Sequence, residues 1–385
     1  MPRRLIALIG AIVLVDTLLY AALAPLLPAL QDEFGLSKAG SGVLVGSYPL
    51  GTMLGALPGG WAAARFGPRA VVLTGLALMT VSGVAFALAG TTLLLDLARL
   101  CQGLGGAATW TAGLAWLGAV VPRERRGEAI GLAIGAGIFG AQFGPVIGSI
   151  ADAVGRAPTF SAVAALGLAL ALLARIEPAP AAPEGAGGSP RLLVRDRAFA
   201  AAAWLTFLPS LAFGAAEVLV PLRLDDLGAS ALAIGAAFLV SALVEALVSP
   251  LVGRIVDRRG VRAIVRSATF LAAAAVALLS VPDSAIVVAA LLVAAAGALG
   301  ALWAPSGSSV SLRAESLGVD QGWAFALNNL GWAGGVAVGA GAGGALGQLV
   351  GDGLPYGLCA GLLALTGLAA GRFYGNAHAD AVAPA

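Results

Sequence analysis

The segment PALQDEFGLS at residues 28–37 is matched, 193 positions later, by PLRLDDLGAS at residues 221–230. The same offset relates GWAAARFGPR at residues 60–69 to GRIVDRRGVR at residues 253–262. Both copies of the second segment begin with a glycine and end with an arginine. Because one offset accounts for two separate matches, we infer that the chain consists of two duplicated halves.

The composition predicts an all-α membrane protein. Hydrophobic residues make up 59% of the chain and charged residues only 11%, against roughly 25% charged in soluble domains. The 55 glycines fit close helix packing in lipid, where small residues let backbones approach each other. Twelve apolar stretches reach the length of about 20 residues that spans a bilayer, and they lie at 5–30, 40–63, 70–90, 92–120, 129–152, 159–175, 199–222, 231–253, 263–281, 284–311, 322–347 and 356–373.

The basic residues predict the orientation of these helices. With the N-terminus inside, 18 of the 22 Lys and Arg residues fall on the cytoplasmic side and three on the outer side, and Arg99 lies within the membrane. This asymmetry follows the positive-inside rule. We therefore expect a multi-pass protein of the cell membrane with both termini in the cytoplasm, and a monomer surrounded by lipid.

One polar connection divides the chain. Residues 176–198 contain four prolines and three glycines followed by a basic run, a composition typical of a flexible linker. We predict an N-terminal six-helix bundle over residues 1–175, a cytoplasmic linker over 176–198, and a C-terminal six-helix bundle over 199–385.

Several function classes are disfavoured by the sequence. It contains no Walker-type phosphate loop, which argues against ATP-driven activity, and no hydrolytic constellation, which argues against an enzyme. Cys101 and Cys359 lie within predicted helices without metal-ligand spacing. We expect no metal, no cofactor and no nucleic-acid partner.

A duplicated set of apolar helices is typical of transporters whose site lies between the halves. Three further segments support this: an Arg-x-x-Gln-Gly stretch that begins at Arg99, the Gly-x-x-x-Gly-Pro-x-x-Gly stretch at 140–148, and residues 15–18, which lead to Pro25 and Pro28. With the glycine–arginine loops, they resemble the major facilitator superfamily. The 140–148 stretch resembles its 12-helix drug:proton antiporters, and residues 15–18 resemble the first helix of that group and of its vesicular amine transporter relatives. The resemblance implies two pseudo-symmetric six-helix bundles.

Asp16 is the first candidate for the transport chemistry. It lies about midway along the first predicted helix, and Tyr20 follows one turn later on the same face. A carboxylate at that depth costs about 2.5–3.5 kcal/mol even on lenient insertion scales, so a function is expected to offset the cost. We interpret Asp16 as a group that binds a proton or a cationic substrate; a structural hydrogen-bonded acid is the alternative.

Two further acids lie in the second half. Glu217 stands four residues before Pro221 in the seventh predicted helix. This arrangement resembles the vesicular amine transporters, which have an acid before a proline in the same helix. It is either a coupling residue or an interfacial glutamate that reaches water. Glu245, in the eighth helix, either lines the cavity or pairs with a neighbour near the cytoplasmic mouth.

Arg99 is the only cation well inside a predicted helix. Asp96 lies three residues earlier, so the two can form an ion pair on one helical face. Alternatively, Arg99 tunes the proton affinity of a nearby carboxylate and relays proton movement. Gln102 and Gly103 complete the motif, and the resemblance implies that the whole stretch is functional.

The fifth predicted helix carries glycine at every fourth position, at Gly140, Gly144 and Gly148. This spacing gives a smooth stripe for tight packing, and Pro145 interrupts the helical hydrogen bonds. Together they favour the antiporter interpretation over ordinary packing. The corresponding glycines of the eleventh helix are Gly339, Gly343 and Gly344.

The repeated loops are expected to control conformational change. In the superfamily pattern an acid follows the first glycine by four residues and holds a neighbouring helix end. The second half has this acid, whereas Ala64 takes its place in the first half. The candidate loop residues are Gly60, Arg65, Gly67, Arg69, Gly253, Asp257, Arg258, Gly260 and Arg262.

The substrate is less well defined. Vesicular amine transporters carry acids in the tenth and eleventh helices, but here the tenth has none and the eleventh has Asn328 and Asn329 instead. Because fewer acidic residues are present, the range of expected substrates includes bulkier, lipophilic or neutral compounds. Candidate cavity residues are aromatic or amide side chains: Tyr20, Tyr48, Gln142, Phe207, Trp303, Asn328, Asn329 and Trp332.

The sequence thus predicts a proton-coupled efflux antiporter for small cationic or amphiphilic organic compounds, of the multidrug type. An exporter or facilitator of a polar metabolite such as a sugar, amino acid or nucleoside is the main alternative. A non-transporting receptor on a transporter scaffold is a third.

Overall fold

A computed structural model describes residues 3–122, 125–178, 189–319 and 321–373. Every regular element in these ranges is an α-helix. The first seven are α1 (Arg3–Ala21), α2 (Leu23–Phe34), α3 (Lys38–Phe66), α4 (Pro68–Ala87), α5 (Thr92–Val120), α6 (Arg126–Val154) and α7 (Arg156–Ile176). The others are α8 (Pro190–Arg195), α9 (Arg197–Asp226), α10 (Ala231–Arg259), α11 (Val261–Leu278), α12 (Ala285–Gly300), α13 (Trp303–Ser316), α14 (Gln321–Val350) and α15 (Gly353–Phe373).

The helices of the described residues account for the twelve predicted spans. Ten stretches are long and apolar enough to cross a membrane, with α12 and α13 counted as one. The remaining two spans are α3 and α5, each of 29 residues, in which glycine and polar residues dilute the apolar ones. The predicted all-α, twelve-helix architecture is confirmed.

Two of the predicted spans are broken, each four residues before a proline. α1 ends at Ala21, and Pro25 has no N–H to bond the carbonyl of that residue. α12 ends at Gly300, just before Ala301. Pro305, four residues after Ala301, has no N–H to bond the carbonyl of that residue. The apolar stretches predicted at 5–30 and 284–311 therefore each contain two helices separated by a short break.

The duplication seen in the sequence extends to backbone conformation. Gly35 and Gly228, 193 residues apart, have φ of 61° and 81°. Gly67 and Gly260, at the same offset, have φ of 84° and 78°. A side chain is disfavoured at such angles, so the repeated glycines are required by the same turns in both halves.

The repeat also places equivalent helix caps. The hydroxyl of Ser37 accepts a hydrogen bond from the N–H of Gly40 at 3.1 Å, at the start of α3. The hydroxyl of Ser230 accepts one from the N–H of Ala233 at 3.3 Å, at the start of α10. Serine caps of this kind satisfy N–H groups that the helix leaves unpaired.

The chain forms two compact units, Met1–Gly185 with Ser230–Leu239, and Ala186–Ala229 with Val240–Ala385. In the first, α1 packs against α6, α5 against α3 and α4, and α4 against α7. In the second, α9 packs against α14 and α13, and α11 against α15. The short helix α8 lies within the segment predicted as a linker.

Candidate functional site

Asp16 lies in the interior of the N-terminal unit and is only 2% exposed. Its Oδ1 accepts a hydrogen bond from the Tyr48 hydroxyl of α3 at 2.8 Å. Its Oδ2 accepts one from the indole N–H of Trp110 on α5 at 2.9 Å. The carboxyl group therefore joins three helices, and both of its oxygens have a donor.

Arg99 is equally buried, at 2% exposure. Its guanidinium donates hydrogen bonds to the backbone carbonyls of Leu19 and Tyr20 on α1, at 3.0 and 3.1 Å, and to Oε1 of Gln102 at 3.1 Å. Asp96 accepts none of these bonds, so they do not include the ion pair with Asp96 that was one of the two alternatives for Arg99. The physical reason is that α1 presents two carbonyls near its end, just before the break.

Tyr48 connects the two buried charges. Its hydroxyl bonds Asp16, and the Arg99 guanidinium lies over its ring, 5.0 Å from the centroid. Tyr20 packs against the same ring, with centroids 4.9 Å apart. A cation over an aromatic face is a favourable arrangement in a desolvated site.

Glycines of α5 allow this close approach. A Cβ at Gly106 would overlap the Asp16 carboxylate, and one at Gly103 would overlap the backbone of Tyr48 and Thr52. The Arg-x-x-Gln-Gly stretch thus supplies a buried cation, its amide neighbour Gln102, and the space into which α1 and α3 pack.

Trp110 is absent from the residues singled out by sequence. It nevertheless shares a helix face with Arg99, Gly103 and Gly106, because the spacings of four, seven and eleven residues fall on one side of an α-helix. The helical period therefore groups Trp110 with the residues of the motif, but nothing in the sequence showed that this helix face contacts Asp16.

The glycine stripe of α6 packs against the backbone of α1. A Cβ at Gly140 would meet the carbonyl of Leu14, and a Cβ at Gly144 would come within 2.5 Å of the Ala21 Cβ. At Gly148 it would meet the carbonyl of Ala22, at the break that follows α1. The Thr17 hydroxyl of α1 adds a hydrogen bond to this interface, because it donates to the carbonyl of Gly137 on α6 at 2.7 Å.

The segment after Pro145 also contacts the start of α10, within the same unit. The Ser149 hydroxyl donates to the carbonyl of Ala231 at 3.2 Å, and Gly235 leaves no room for a Cβ against Ser149. The second half repeats the arrangement between α14 and α9. There a Cβ at Gly339 would meet the carbonyl of Leu211.

In the C-terminal unit, Glu245 on α10 accepts a hydrogen bond at Oε1 from the indole N–H of Trp303, at 2.5 Å. The Trp303 ring lies parallel to Phe213 of α9, with centroids 6.3 Å apart and planes at 10°. Glu217 is close enough for its charge to interact with that of Glu245. It lies well inside α9, which continues to Asp226, rather than near the helix end.

The other predicted cavity residues lie on α6, α9 and α14. Phe207 stacks on Trp204, with centroids 5.5 Å apart, and Gln142 is buried at 8% exposure. Asn328 and Trp332 are half-buried on α14, and Asn329 is exposed there.

The first-half loop residues lie at the junction of α3 and α4. Arg65 lies over the ring of Phe66, and the Arg69 guanidinium donates to the carbonyl of Glu177 at 3.2 Å. Ala64, in place of the acid, is exposed. The side chains of Asp257 and Arg258 fall outside the described residues, so the second-half loop acid remains a prediction.

A family model described as Major Facilitator Superfamily matches residues 9–335 and 202–385. The chain belongs to the major facilitator superfamily. The resemblance drawn from its motifs is thereby confirmed.

Individual relatives in this superfamily match part of the chain. The MFS-type transporter ppzB of Metarhizium rileyi (strain RCEF 4871) is 28% identical over 179 residues, covering 45% of this chain and 37% of that protein. The chromaffin granule amine transporter of Homo sapiens is 28% identical over 185 residues, covering 46% of this chain and 35% of that protein. These alignments span little more than a third of each relative.

The fold is shared with solved transporters. The xylose transporter XylE from E. coli, in a partially occluded inward open conformation, has a TM-score of 0.74 at 15% sequence identity. The superposition covers 97% of this chain and 98% of that one. At this identity the likeness concerns the fold alone.

Proposed function

We propose that this superfamily member is a proton-coupled efflux antiporter that exports small cationic or amphiphilic organic compounds by alternating access. The observation that carries the proposal is Asp16, a carboxyl group buried within the N-terminal unit and bonded by Tyr48 and Trp110 from two other helices. A titratable group in that position links a change of charge to the packing of α1, α3 and α5.

The geometry restricts where a proton can reside on Asp16. The Trp110 N–H is a donor only, so Oδ2 must remain an acceptor to keep that bond. The Tyr48 hydroxyl can rotate and accept. A proton on Asp16 therefore belongs on Oδ1, facing Tyr48.

Protonation also changes the balance of buried charge. Ionised Asp16 and Arg99 offset each other in the interior of the unit, and their charges interact. A proton on Asp16 leaves the Arg99 charge in excess. Since an excess charge in low dielectric is costly, protonation favours a state in which this region becomes more open to water.

The helix α1 carries this change to α6. Its backbone is in contact with the α6 stripe at Gly140, Gly144 and Gly148, and Thr17 bonds across the same interface. Interfaces packed this closely move as rigid surfaces rather than deform. In a transporter that works by rocking bundles, α1 and α6 are therefore expected to move together.

Three observations support a cationic substrate. The C-terminal unit carries two interacting acids, Glu217 and Glu245, and Trp303 lies beside the second. One relative is named as an amine transporter. Antiport is expected from charge, because a bound proton and a bound organic cation each add one positive charge, and a low-dielectric interior disfavours carrying both at once. A potential of 100 mV adds about 2.3 kcal/mol per charge moved.

Buried amide atoms support a second candidate, export or facilitated transport of a polar metabolite. Among the described residues, Gln102 Nε2, Gln142 Oε1 and Asn328 Oδ1 have no hydrogen-bond partner. Such atoms suit the hydroxyl or amide groups of a sugar, amino acid or nucleoside.

The proposal includes a position in the cell membrane with both termini in the cytoplasm. Its support is the asymmetry of the basic residues, of which 18 of 22 fall on one predicted side. A monomer in lipid, without a cofactor, is sufficient for this mechanism.

Reconstituted protein tests the proposal. Proteoliposomes with an acidic lumen should accumulate organic cations such as tetraphenylphosphonium in exchange for luminal protons, so the pH of the lumen should rise as the cation enters. Accumulation of a sugar, amino acid or nucleoside without proton movement would instead support the second candidate.

A further inference from the structure

Asp16 and Glu245 differ in what they offer to a substrate. Both oxygens of Asp16 accept hydrogen bonds, and the residue is 2% exposed. Glu245 is half-buried and its Oε1 accepts from Trp303, but no donor within the described part of the chain reaches its Oε2. A carboxylate whose two oxygens both accept hydrogen bonds is suited to exchanging a proton, whereas a carboxylate with one oxygen not reached by a donor can also contact a cation.

The Glu245 side chain is directed toward the interior of its unit. Leu243 and Leu247 on α10 are exposed, and each lies two residues, or about 200°, away around the helix. Glu245 instead faces α12, where a Cβ at Gly300 would come within 2.5 Å of its Cγ. Gly300 therefore provides the space that the glutamate side chain occupies.

Aromatic rings flank this carboxylate. Trp303 bonds Glu245 through its N–H, and the parallel ring of Phe213 lies 6.3 Å from it. Both rings are half-buried, so part of their surface is open. A carboxylate beside aromatic faces is the arrangement that binds organic ammonium and related cations.

The charge of Glu217 strengthens the attraction. It interacts with Glu245, and two ionised carboxylates in a partly buried region repel each other. A monovalent cation relieves that repulsion, as does a proton. Two acids beside the aromatic rings therefore favour an organic cation over a neutral compound of the same shape.

We propose that Glu245, Trp303 and Phe213 form a subsite for the cationic group of an organic substrate, while Asp16 exchanges protons without touching the substrate. This assignment rests on the proposed export of organic cations and divides its two tasks between the two units.

Equilibrium binding to the purified full-length chain tests the assignment. The probe is radiolabelled tetraphenylphosphonium, with triphenylphosphine oxide as a neutral aromatic counterpart. We expect Glu245→Gln and Trp303→Ala to weaken binding of the cation by about tenfold or more, and to affect the neutral compound far less. Asp16→Asn leaves the Glu245 subsite intact and should therefore still bind the cation.

Matched controls separate charge from packing. Glu315→Gln makes the same chemical change at an exposed position of α13 and should leave binding unchanged. Gly300→Ala keeps every charge but displaces the Glu245 side chain, and should also weaken binding of the cation. It keeps the proposal testable if Glu245→Gln fails to fold, as judged by size-exclusion profile.

The outcomes distinguish this inference from the proposed function. If wild type binds tetraphenylphosphonium and both Glu245→Gln and Gly300→Ala bind it equally well, the subsite is wrong while cation export stands. If Asp16→Asn alone loses binding, the substrate site belongs to Asp16. If wild type binds no organic cation, the cation class itself is wrong and the subsite falls with it.

Discussion

Asp16 and Trp110 are 94 residues apart in the sequence and are joined by a hydrogen bond of 2.9 Å between the Asp16 Oδ2 and the indole N–H. Because an indole N–H cannot accept, this bond fixes Oδ2 as an acceptor and leaves Oδ1 for any proton. Tyr48 then becomes the one described neighbour of the carboxyl group that can change its hydrogen-bonding role. This asymmetry between the two donors leads to the first predictions.

Asp16→Asn should abolish accumulation driven by a pH gradient while the protein still folds. Asparagine can present its oxygen to Trp110 and its amide N–H to Tyr48, which reproduces the hydrogen bonds of protonated Asp16. Uptake into proteoliposomes should fall to passive equilibration. Asp32→Asn, at an exposed position on α2, is the control and should accumulate substrate normally; wild-type accumulation by Asp16→Asn would contradict the coupling role.

Tyr48→Phe should impair proton-driven uptake more severely than Trp110→Phe. Tyr48→Phe keeps the ring beneath Arg99 but removes a hydroxyl that can both donate to Oδ1 and accept a proton from it. Trp110→Phe removes a group that can only donate, worth about 1.5–3 kcal/mol. The measurement is the initial rate of pH-driven uptake at equal protein incorporation. Equal loss in the two variants would show that the two donors are equivalent.

Gly106→Ala should destabilise the protein and disturb coupling, because its Cβ would overlap the Asp16 carboxylate. Overpacking of this kind costs about 1–3 kcal/mol. Gly118→Ala, on the same helix with nothing within 4 Å of its Cβ position, is the control and should be neutral or slightly stabilising. Thermal unfolding in detergent compares them, and an unchanged midpoint for Gly106→Ala would contradict the packing.

The duplicated halves were predictable because they rest on local chemistry. The glycines at 67 and 260 have positive φ in both halves, and Ser37 and Ser230 cap equivalent helices. Turns and caps of this kind depend on a few adjacent residues. The same property makes them visible in a single sequence.

The partners of the buried charges were harder to predict. An ion pair between Arg99 and Asp96 satisfies the rules of an isolated helix, yet the arginine bonds the α1 carbonyls of Leu19 and Tyr20. Likewise, Trp110 meets Asp16 only because glycines let three helices converge. Such contacts depend on tertiary packing, which a single helix period does not specify.

Gly144→Ala should slow turnover more than it weakens substrate binding. Its Cβ would lie 2.5 Å from that of Ala21 and 2.8 Å from the carbonyl of Leu18, so α6 and α1 would have to separate. Gly135→Ala, on the same helix with open space around it, is the matched control. Comparing maximal exchange rate with equilibrium binding tests this, and a loss of affinity at unchanged turnover would count against it.

The last prediction concerns an ion pair at the start of the C-terminal half. Asp196 caps α9 by accepting the Phe199 N–H at 2.7 Å, and its two oxygens accept hydrogen bonds from Arg313 on α13. These bonds, chiefly those from Arg313, hold the pKa of Asp196 at about 2, below its ordinary value of 3.8. The pair therefore joins the beginning of one helix to the end of another.

Asp196→Asn should lower the free energy of unfolding by up to about 1 kcal/mol, through the lost charge pairing with Arg313, because asparagine caps a helix about as well as aspartate and a partly exposed pair adds little. Because the folded pKa is depressed, the stabilisation is fully present above pH 3.8 and is lost as pH falls through about 2. The difference in unfolding midpoint between Asp196→Asn and wild type should thus stay constant from about pH 5 to 8 and shrink below about pH 4. Glu315→Gln, on the same helix as Arg313 and exposed, should leave the midpoint unchanged; a deficit in Asp196→Asn that grows as pH falls would reverse the sign and refute the assignment.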